Sequence, residues 1–401
     1  MLAGGALMKS DSHSPAPLLV DLFCGAGGLS TGLEQAGFRP ILGLDYDRHA
    51  IATYAKNHPE TVALQKDVSK VPGKELLAAA DGDEIDLIAG GPSCQGYSTH
   101  GKRIEDDPRN FLFKHFVRLV REARPKFFLM ENVKGLLTYG GGYFKTLIED
   151  SFAAAGYDVV SKVVCAADYG VPQLRHRIVF LGTRTDVPLS FPEPTHGPAD
   201  SLFSDLAPYV TVGEALGDLP LLRRNYEKSE WEYVSAPSND FQRYARKGVR
   251  SETTTLHQAK PLSPMSSEIV ALVKEGEGLR SIPPELLPGR FGKMRRIKDG
   301  SLRKDCTTLY FRIARNKPAY TITCHFRNVA SGPFVHPVEN RCLTYREAAR
   351  LMSFQDSYQF EGSMRARQIG NAVPPLLARA LGTHLMKLLE RASVKPLKRA
   401  S

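Results

Sequence analysis

Short apolar runs alternate with segments of helical periodicity along the first half of the chain. The apolar runs lie at 18–23, 40–44, 62–65, 85–89 and 126–130, and helical patterns lie between them at 28–37, 48–57, 73–80 and 111–123. This repetition predicts a mostly parallel α/β sheet with helices on both faces. Two further strands are predicted at 158–165 and 176–182, where turn residues between them favour an antiparallel pair.

The pattern changes after Thr183. Prolines become dense at 191–198, 261–264 and 282–288, and the alternation of strands and helices is lost. We therefore predict that a first domain over 17–183 is followed by a second, smaller domain over 184–340. A helical pattern resumes near Leu343, and the chain closes on a helix that begins near Pro375.

Composition indicates in which kind of compartment the protein works. The 401 residues carry a formal net charge of +10, and no apolar run approaches the roughly 18 residues of a membrane span. We expect a flexible N-terminus over 1–16 without a signal peptide, a basic tail over 391–401, and no membrane partner. Six scattered cysteines without a CxxC pair favour a reducing, cytoplasmic setting and indicate neither disulfides nor a metal site.

Positive charge is concentrated in one segment. Residues 286–327 contain eleven Lys or Arg and two Asp or Glu, with Phe291, Tyr310, Phe311 and Phe326 among them. A solvated basic face is the simpler interpretation, but such concentration favours a surface that binds a polyanion.

A glycine turn follows the first predicted strand. In DLFCGAGGLSTGL (21–33), Gly25, Gly27 and Gly28 allow a ligand to approach the backbone closely. Several nucleotide-binding folds use such a turn, so alone it is a weak signal. Asp45 ends the second strand, where a carboxylate meets ribose hydroxyls, and Asp67 ends the third. Together they predict a nucleoside pocket at the carboxyl edge of the sheet.

A cysteine lies in a second turn at the same edge. In GGPSCQGYS (90–98), Gly90, Gly91 and Pro92 would stiffen a turn that presents Cys94 to the cleft. A lone cysteine is more often an inert core thiol, and a reactive thiolate needs a cationic or helix-dipole environment.

Charged side chains that could complete a site follow. Glu131 ends the fifth strand, where it could form a salt bridge or, in a dry cleft, act as a proton donor. Gln173, Arg175 and Arg177 alternate along one strand and so share a face. Two guanidinium groups beside a thiol would favour the thiolate and bind an oxygen acceptor.

These segments, in this order, resemble the DNA cytosine-5 methyltransferase family. The motifs are 21–33, 90–98, ENV at 131–133, QxRxR at 173–177, RxLTxREAARL at 341–351 and QIGNAVPPLLA at 368–378. The resemblance covers roughly 18–183 and 341–385. Ser93 departs from it, because many members have proline directly before the nucleophile.

The resemblance implies the methyltransferase variant of the doubly wound, Rossmann-like fold, in which 341–390 return to complete the catalytic domain and 184–340 recognise the target. It implies S-adenosyl-L-methionine as cofactor and double-stranded DNA as partner. The residues implied at the cofactor are Phe23, Cys24, Gly25, Gly27, Gly28, Asp45, Asp67, Gly90, Pro92 and Asn371. Those expected at DNA are Gln95, Ser98, Gln173, Arg295 and Arg296, with 96–110 as a mobile loop over the base.

The chemistry expected from this resemblance is methyl transfer to carbon 5 of a flipped-out cytosine. Cys94 would attack carbon 6, Glu131 would hold ring nitrogen 3, Arg175 would contact the carbonyl oxygen at carbon 2, and Arg177 would support the site. We expect a monomer, with a restriction endonuclease as a genetic partner. Three alternatives stay open, namely an RNA cytosine methyltransferase, an inactive DNA-binding relative and a nicotinamide-dependent oxidoreductase.

Overall fold

The structure, a computed structural model, describes residues 16–92, 112–138, 142–199, 205–288, 297–298, 301–302 and 308–392. The predicted N-terminus 1–16, apart from Ala16, and the basic tail from 393 lie outside these residues. None of the helices in the described ranges is long and apolar enough to cross a membrane.

A seven-stranded mixed sheet forms the centre of the molecule. Its strands are β1 (Leu18–Leu22), β2 (Arg39–Asp45), β3 (Val62–Gln65), β4 (Leu87–Gly90), β5 (Phe127–Val133), β6 (Asp158–Cys165) and β8 (His176–Thr183). The spatial order is β3-β2-β1-β4-β5-β8-β6. Every pair is parallel except β5 with β8 and β8 with β6. The predicted sheet and its antiparallel pair are therefore confirmed.

Helices cover both faces of this sheet. They are α1 (Gly28–Gln35), α2 (Arg48–Asn57), α3 (Gly73–Ala79), α4 (Leu112–Ala123), α5 (Tyr143–Ala154) and the C-terminal α11 (Pro375–Ala392). Successive residues of β1 point to opposite faces. Leu19 packs with α1 and α11 in one core, whereas Val20 packs with α4 and α5 in the other. The last helix thus packs against α1 on one face of the sheet.

The region after β8 has little regular structure. Its helices are α6 (Val212–Leu216), α7 (Asp240–Ala245) and α8 (Pro264–Leu272), and its two-residue strands are β9 (His196–Gly197), β10 (Ala207–Pro208), β11 (Trp231–Glu232), β12 (Thr253–Thr254), β13 (Ile297–Lys298), β14 (Ser301–Leu302) and β15 (Ala319–Tyr320). A small separate core forms around Ile269, Leu279 and Tyr310. Two-residue β7 (Gln173–Leu174) pairs in parallel with β15 and joins this region to the sheet domain.

Two helices follow, α9 (Tyr345–Leu351) and α10 (Arg365–Asn371), and buried ion pairs anchor α9. Arg341 pairs with Glu347 at 2.7 Å, and both side chains are buried. Arg350 pairs with Asp356 at 2.6 Å and also with Asp218, which lies in the irregular region. Charges removed from water in this way are stable only when fully paired, so these contacts define how the irregular region joins the C-terminal part.

Candidate active site

A cavity of about 670 Å³ opens at the carboxyl edge of the parallel strands. Its wall includes the glycine turn after β1, the ends of β2 and β5, and the turn after β4. The segment 321–325 and α10 close it from the opposite side. The cavity therefore lies where doubly wound sheets bind their ligands.

The glycine turn has the backbone conformation that its sequence predicts. Phe23, Gly25 and Gly27 all have positive φ angles, of 60°, 54° and 87°. Asp45 holds the turn, because its carboxylate accepts a hydrogen bond of 3.0 Å from the Gly25 amide and another of 2.9 Å from the Asp47 amide. Phe23, Cys24, Gly25, Gly28 and Asp45 line the cavity together.

Two of the glycines predicted at the cofactor do not line the cavity. A Cβ at Gly27 would lie 2.7 Å from the Tyr358 hydroxyl and 2.8 Å from the His58 ring. A Cβ at Gly90 would collide with the Leu22 carbonyl group on the neighbouring strand. Packing behind the site, rather than approach of a ligand, explains these two glycines.

The other predicted cofactor residues lie around the cavity wall. Asp67 is exposed and accepts a hydrogen bond of 3.0 Å from the Ser69 amide, which lowers the pKa of its carboxyl group. Asn371 ends α10 and is also exposed. The Cys24 thiol is buried beside Asp21 and Asp45, and burial raises its pKa well above the usual value. It is therefore a neutral thiol at physiological pH.

The described chain reaches the cysteine turn as far as Pro92. Cys94, Gln95 and Ser98 lie outside the described residues. Gly91 and Pro92 line the cavity, and the Asn132 side-chain amide donates a hydrogen bond of 3.1 Å to the Pro92 carbonyl oxygen. The end of β5 thus holds the start of the turn that carries Cys94.

An ion pair lies next to that turn. Arg177 Nε is 2.8 Å from Glu131 Oε1, and both side chains line the cavity with little more than a tenth of their surface exposed. Strands β5 and β8 are adjacent and antiparallel, with Glu131 opposite Val179 and Val133 opposite Arg177, so Glu131 and Arg177 are diagonal neighbours on one face. The Glu131 carboxylate, a hydrogen-bond acceptor, and the Arg177 guanidinium cation therefore face the same part of the cavity.

Arg175 lies deeper than the sequence predicts. Its Nη1 donates to the Ile322 carbonyl oxygen at 3.0 Å, and its Nη2 donates to those of Gly370 and Ala372 at 3.2 and 3.0 Å. Burial lowers the pKa of this guanidinium group. These bonds join β8 to α10, so Arg175 positions the cavity wall. Arg175 and Arg177 both line the cavity, and Arg175 Nε has no hydrogen-bond partner among the described residues. The predicted contact of Arg175 with the base carbonyl oxygen therefore stays a prediction, and Arg177, beside Glu131, is a second candidate for it.

Gln173 is also inside the protein, not at a DNA surface. Its amide group donates to the Leu351 carbonyl oxygen at 2.9 Å, and its oxygen accepts from the Ile322 amide at 2.9 Å. The side chain is fully buried. It connects β7 to the segments that close the cavity, which corrects the prediction that it contacts DNA.

The predicted basic segment is only partly described, and Arg295, Arg296 and Phe291 lie outside the described residues. Arg312 is buried, with its guanidinium group bonded to the Val270, Val273, His336 and Glu339 carbonyl oxygens. Tyr310 and Phe326 are core residues. Arg315 is paired with Glu275 at 2.9 Å. Arg312, Tyr310 and Phe326 therefore support the fold, whereas Arg315 is exposed, and the predicted polyanion surface stays a prediction.

Several cavity residues carried no sequence signal. Tyr46 follows Asp45, lines the cavity and is 61% exposed. An aromatic ring beside a nucleoside pocket is a candidate stacking surface. Arg367 on α10 donates to the Tyr46 hydroxyl at 2.8 Å. Thr321, Ile322, Thr323, Cys324 and His325 also line the cavity. Long-range packing brings these segments together, and a motif search cannot reveal it.

Asp21 is the other cavity residue that the sequence did not single out. It lies within β1, is fully buried, and accepts a hydrogen bond of 2.6 Å from the Ser30 hydroxyl through Oδ2. Burial raises the pKa of its carboxyl group to about 7.

Comparisons with known proteins agree with the site. The profile of the C-5 cytosine-specific DNA methylase family matches residues 18–387. Type II methyltransferase M1.HphI of Haemophilus parahaemolyticus is 37% identical over 92% of this chain and 86% of its own length. Type II methyltransferase M.XorII of Xanthomonas oryzae is 38% identical over 95% of this chain and 87% of its own length.

Solved structures share the fold. An E. coli structure described as a DNA modification methyltransferase encoded within a prophage superimposes with a TM-score of 0.72 at 28% identity, covering 94% of this chain and all of the other. The Dnmt2 methyltransferase of S. pombe has a TM-score of 0.54 at 16% identity over 93% of this chain and 99% of its own, which shows the fold alone. The chain belongs to the C-5 cytosine-specific DNA methylase family.

Proposed function

We propose that this DNA cytosine methyltransferase binds S-adenosylmethionine at the glycine turn and a cytosine turned out of duplex DNA at the Glu131–Arg177 pair, with Cys94 as a covalent nucleophile. The observation that supports this most directly is a single cavity that joins both regions. The cavity volume of about 670 Å³ suits S-adenosylmethionine together with a single base.

The residues on the glycine side fit the cofactor. Asp45 is fixed by two backbone amides and lies at a strand end, where a ribose is held. Tyr46 offers a ring face, and Asp21 keeps one carboxylate oxygen without a hydrogen-bond partner in the described part of the chain. A cationic nucleoside derivative satisfies these groups. When bound, S-adenosylmethionine supplies an electrophilic methyl group.

The residues on the other side fit a cytosine edge. Glu131 donates to ring nitrogen 3 when it carries the proton and accepts from that nitrogen when the ring carries it, and Arg177 donates to the carbonyl oxygen at carbon 2. The ion pair between them, at 2.8 Å, fixes both groups before a base arrives. Such preorganised charge is the usual source of large rate effects.

The reaction divides into two steps at the ring. The Cys94 thiolate forms a sulfur–carbon bond at carbon 6. The ring accepts at nitrogen 3 a proton that Glu131 took from solvent as the base entered, and Glu131 returns to the carboxylate paired with Arg177. Carbon 5 then takes the methyl group that bound S-adenosylmethionine would supply, and the bond from that methyl group to the cofactor sulfur breaks. The carbon 5 proton is released to solvent, the bond to Cys94 breaks as thiolate, and nitrogen 3 returns its proton to Glu131. Covalent activation replaces one difficult step by two easier ones.

The base must leave the duplex for this to happen, at a cost of a few kcal/mol. We infer that the irregular region after β8, including Arg295 and Arg296, offsets this cost through phosphate and groove contacts. The curated relatives named above are type II methyltransferases, so a cognate restriction endonuclease is the partner to seek in the genome. The protein acts as a monomer in this proposal.

The covalent step can be tested directly. Bisulfite sequencing of DNA from cells that express the chain first identifies the methylated sequence. A duplex with 5-fluorocytosine at that position, incubated with cofactor, is then expected to trap the protein covalently, and peptide mass spectrometry should place the adduct at Cys94. Cys94→Ala should give no adduct, whereas Cys165→Ala, which changes a free thiol that does not line the cavity, should trap normally. Methylation without any trapped adduct contradicts the proposal.

A further inference from the structure

Asp21 lies under the glycine turn in an unusual state for a carboxyl group. The residue has no exposed surface, and its side chain contributes to the cavity wall. Oδ2 accepts from Ser30 at 2.6 Å, and the Ser30 hydroxyl also lies 2.9 Å from the Tyr54 hydroxyl. Oδ1 has no hydrogen-bond partner among the described residues. A buried carboxylate oxygen without a partner is costly unless a ligand supplies one.

The groups that face Asp21 do not supply a positive charge. The neutral Cys24 thiol lies in the turn, and the Asp45 carboxylate lies at the end of β2. The Tyr54 phenol belongs to α2, and the Tyr358 phenol belongs to the chain after α9. His58 lies behind Tyr54, where it pairs with Glu34 at 3.1 Å. The nearby groups are acidic or neutral, which favours a cationic ligand.

We propose that Asp21 senses the sulfonium charge of the cofactor and so makes the site bind S-adenosylmethionine more tightly than S-adenosylhomocysteine. This inference rests on the proposed function, because it assumes that the cofactor occupies the glycine side of the cavity. The two ligands differ by one methyl group and one positive charge. A carboxylate in a dry site responds to that charge far more than an exposed one does.

The same geometry makes cofactor binding depend on pH. Desolvation raises the pKa of Asp21 to about 7 in the free protein, the Ser30 hydrogen bond lowers it, and the Asp45 charge raises it further. A nearby cation lowers a carboxyl pKa by about 1 to 3 units. Binding of the sulfonium therefore expels a proton near pH 7, and methyl transfer, which removes the sulfonium charge, favours its return. The methyl-transfer step, rather than release of S-adenosylhomocysteine, is thereby coupled to proton uptake.

Isothermal titration calorimetry in buffers of different ionisation enthalpy measures this proton. At pH 7 the unaltered chain should release about 0.4 proton on binding S-adenosylmethionine and almost none on binding S-adenosylhomocysteine. Its dissociation constant for S-adenosylmethionine should rise about fivefold from pH 8 to pH 6, for a shift of one unit. Asp21→Asn should abolish the proton release and remove most of the preference between the ligands. Asp47→Asn, at a half-buried carboxylate on the same cavity, should retain both.

Three outcomes separate the possibilities. If the unaltered chain binds neither ligand, the proposed function fails. If it binds both, but proton release and the ratio of affinities are unchanged in Asp21→Asn, the charge-sensing role is wrong while the proposed function stands. If Asp21→Asn does not fold, Ser30→Ala serves instead. It removes the hydrogen bond that stabilises the carboxylate, so the midpoint of the pH dependence should move to higher pH, and an unmoved midpoint also overturns the inference.

Discussion

At the scale of single residues, the site depends on side chains whose partners are backbone groups. Arg175, Asn132 and Asp45 each bond to carbonyl or amide groups of a neighbouring segment. Such bonds hold the wall of the cavity in place before any ligand binds, and preorganisation of this kind governs rate.

Substitutions of the two arginines of the QxRxR motif should therefore have different effects on stability and on catalysis. Arg175→Lys loses guanidinium bonds to three carbonyl groups, and because the site is buried we expect a loss of about 2 to 4 kcal/mol in the free energy of unfolding. Arg177→Lys keeps the charge beside Glu131 but loses the planar donor set, so it should lower kcat about 100-fold with little loss of stability. Urea unfolding and single-turnover methylation distinguish the two. Equal loss of stability in both variants contradicts the assignment.

Asn132 gives a second prediction at this scale. Its amide nitrogen donates to Pro92, and its oxygen accepts from the Val133 amide at 2.8 Å. Asn132→Asp keeps the shape and the acceptor but removes the donor, so the turn that carries Cys94 should loosen. We expect kcat to fall about tenfold or more while the affinity for S-adenosylmethionine, measured by calorimetry, is retained. If kcat is unchanged, the hydrogen bond to Pro92 does not position the nucleophile.

At the scale of secondary structure, the sequence predicts the sheet domain well and the remainder poorly. Strands β1 to β6 and helices α1 to α4 lie within a few residues of their predicted positions. Continuous apolar runs mark strands that are buried on both faces, and the 3.6-residue period marks helices with one buried face. Helix α5 was missed, and so was the pairing of β7 with β15. A two-residue strand has no periodicity, and its partner lies about 150 residues away, so only packing determines it.

The same limit applies to the candidate site. Glu131, Arg177 and Asp45 lie at strand ends, where topology alone brings them together. Arg341, Glu347 and Arg350 are charged, yet all three are buried in ion pairs. Charge pattern cannot distinguish a solvated face from a buried network, since both use the same residues. Asp21 was overlooked for the same reason, because its burial is not visible in the motif around it.

The contact between α1 and α11 gives a prediction at this scale. Gly32 faces α11, where a Cβ would collide with the Pro375 carbonyl oxygen and lie 2.5 Å from the Ala378 methyl group. Gly32→Ala would improve helix propensity but should lower the free energy of unfolding by about 1 to 3 kcal/mol, because the two helices must separate. Gln35→Ala, at an exposed position of the same helix, should change it by less than about 0.5 kcal/mol. Equal effects in urea unfolding would show that the helices can separate freely.

At the scale of the whole molecule, charge divides the cavity in two. Its glycine side carries Asp21, Asp45 and Asp67, whereas its base side carries Arg177 with Glu131. Residues of α10 and of segment 321–325 complete the cavity wall, and α11 packs against α1 behind the glycine turn. In the proposed function, the end with Asp21 and Asp45 would bind the cationic cofactor and the end with Glu131 and Arg177 would bind the cytosine, within one cavity.

Two buried histidines link the stability of this unit to pH. His336 Nδ1 accepts hydrogen bonds of 3.1 and 3.0 Å from the Val338 and Glu339 amides, so that nitrogen cannot carry a proton. His257 Nε2 donates to the Pro220 carbonyl oxygen at 2.8 Å, and its Nδ1 accepts from the Thr344 hydroxyl. Burial lowers the pKa of His336 to about 3 and lowers that of His257. Both rings are neutral in the folded protein.

Acidification should therefore unfold the protein from below about pH 6.5, where histidines of the unfolded chain begin to bind protons that the folded chain excludes. Between pH 7.5 and 5.5 one excluded proton lowers the free energy of unfolding by about 1.4 kcal/mol. Asp21 acts in the opposite direction, because its raised pKa favours the folded state as pH falls. The contribution of His336 is thus measured as a difference from His336→Gln, whose side-chain oxygen can still accept the two amides. Urea unfolding at both pH values should show the unaltered chain losing about 1.4 kcal/mol more than this variant. Equal losses would mean that His336 takes up its proton without unfolding, and that the amide bonds to Nδ1 do not hold it neutral.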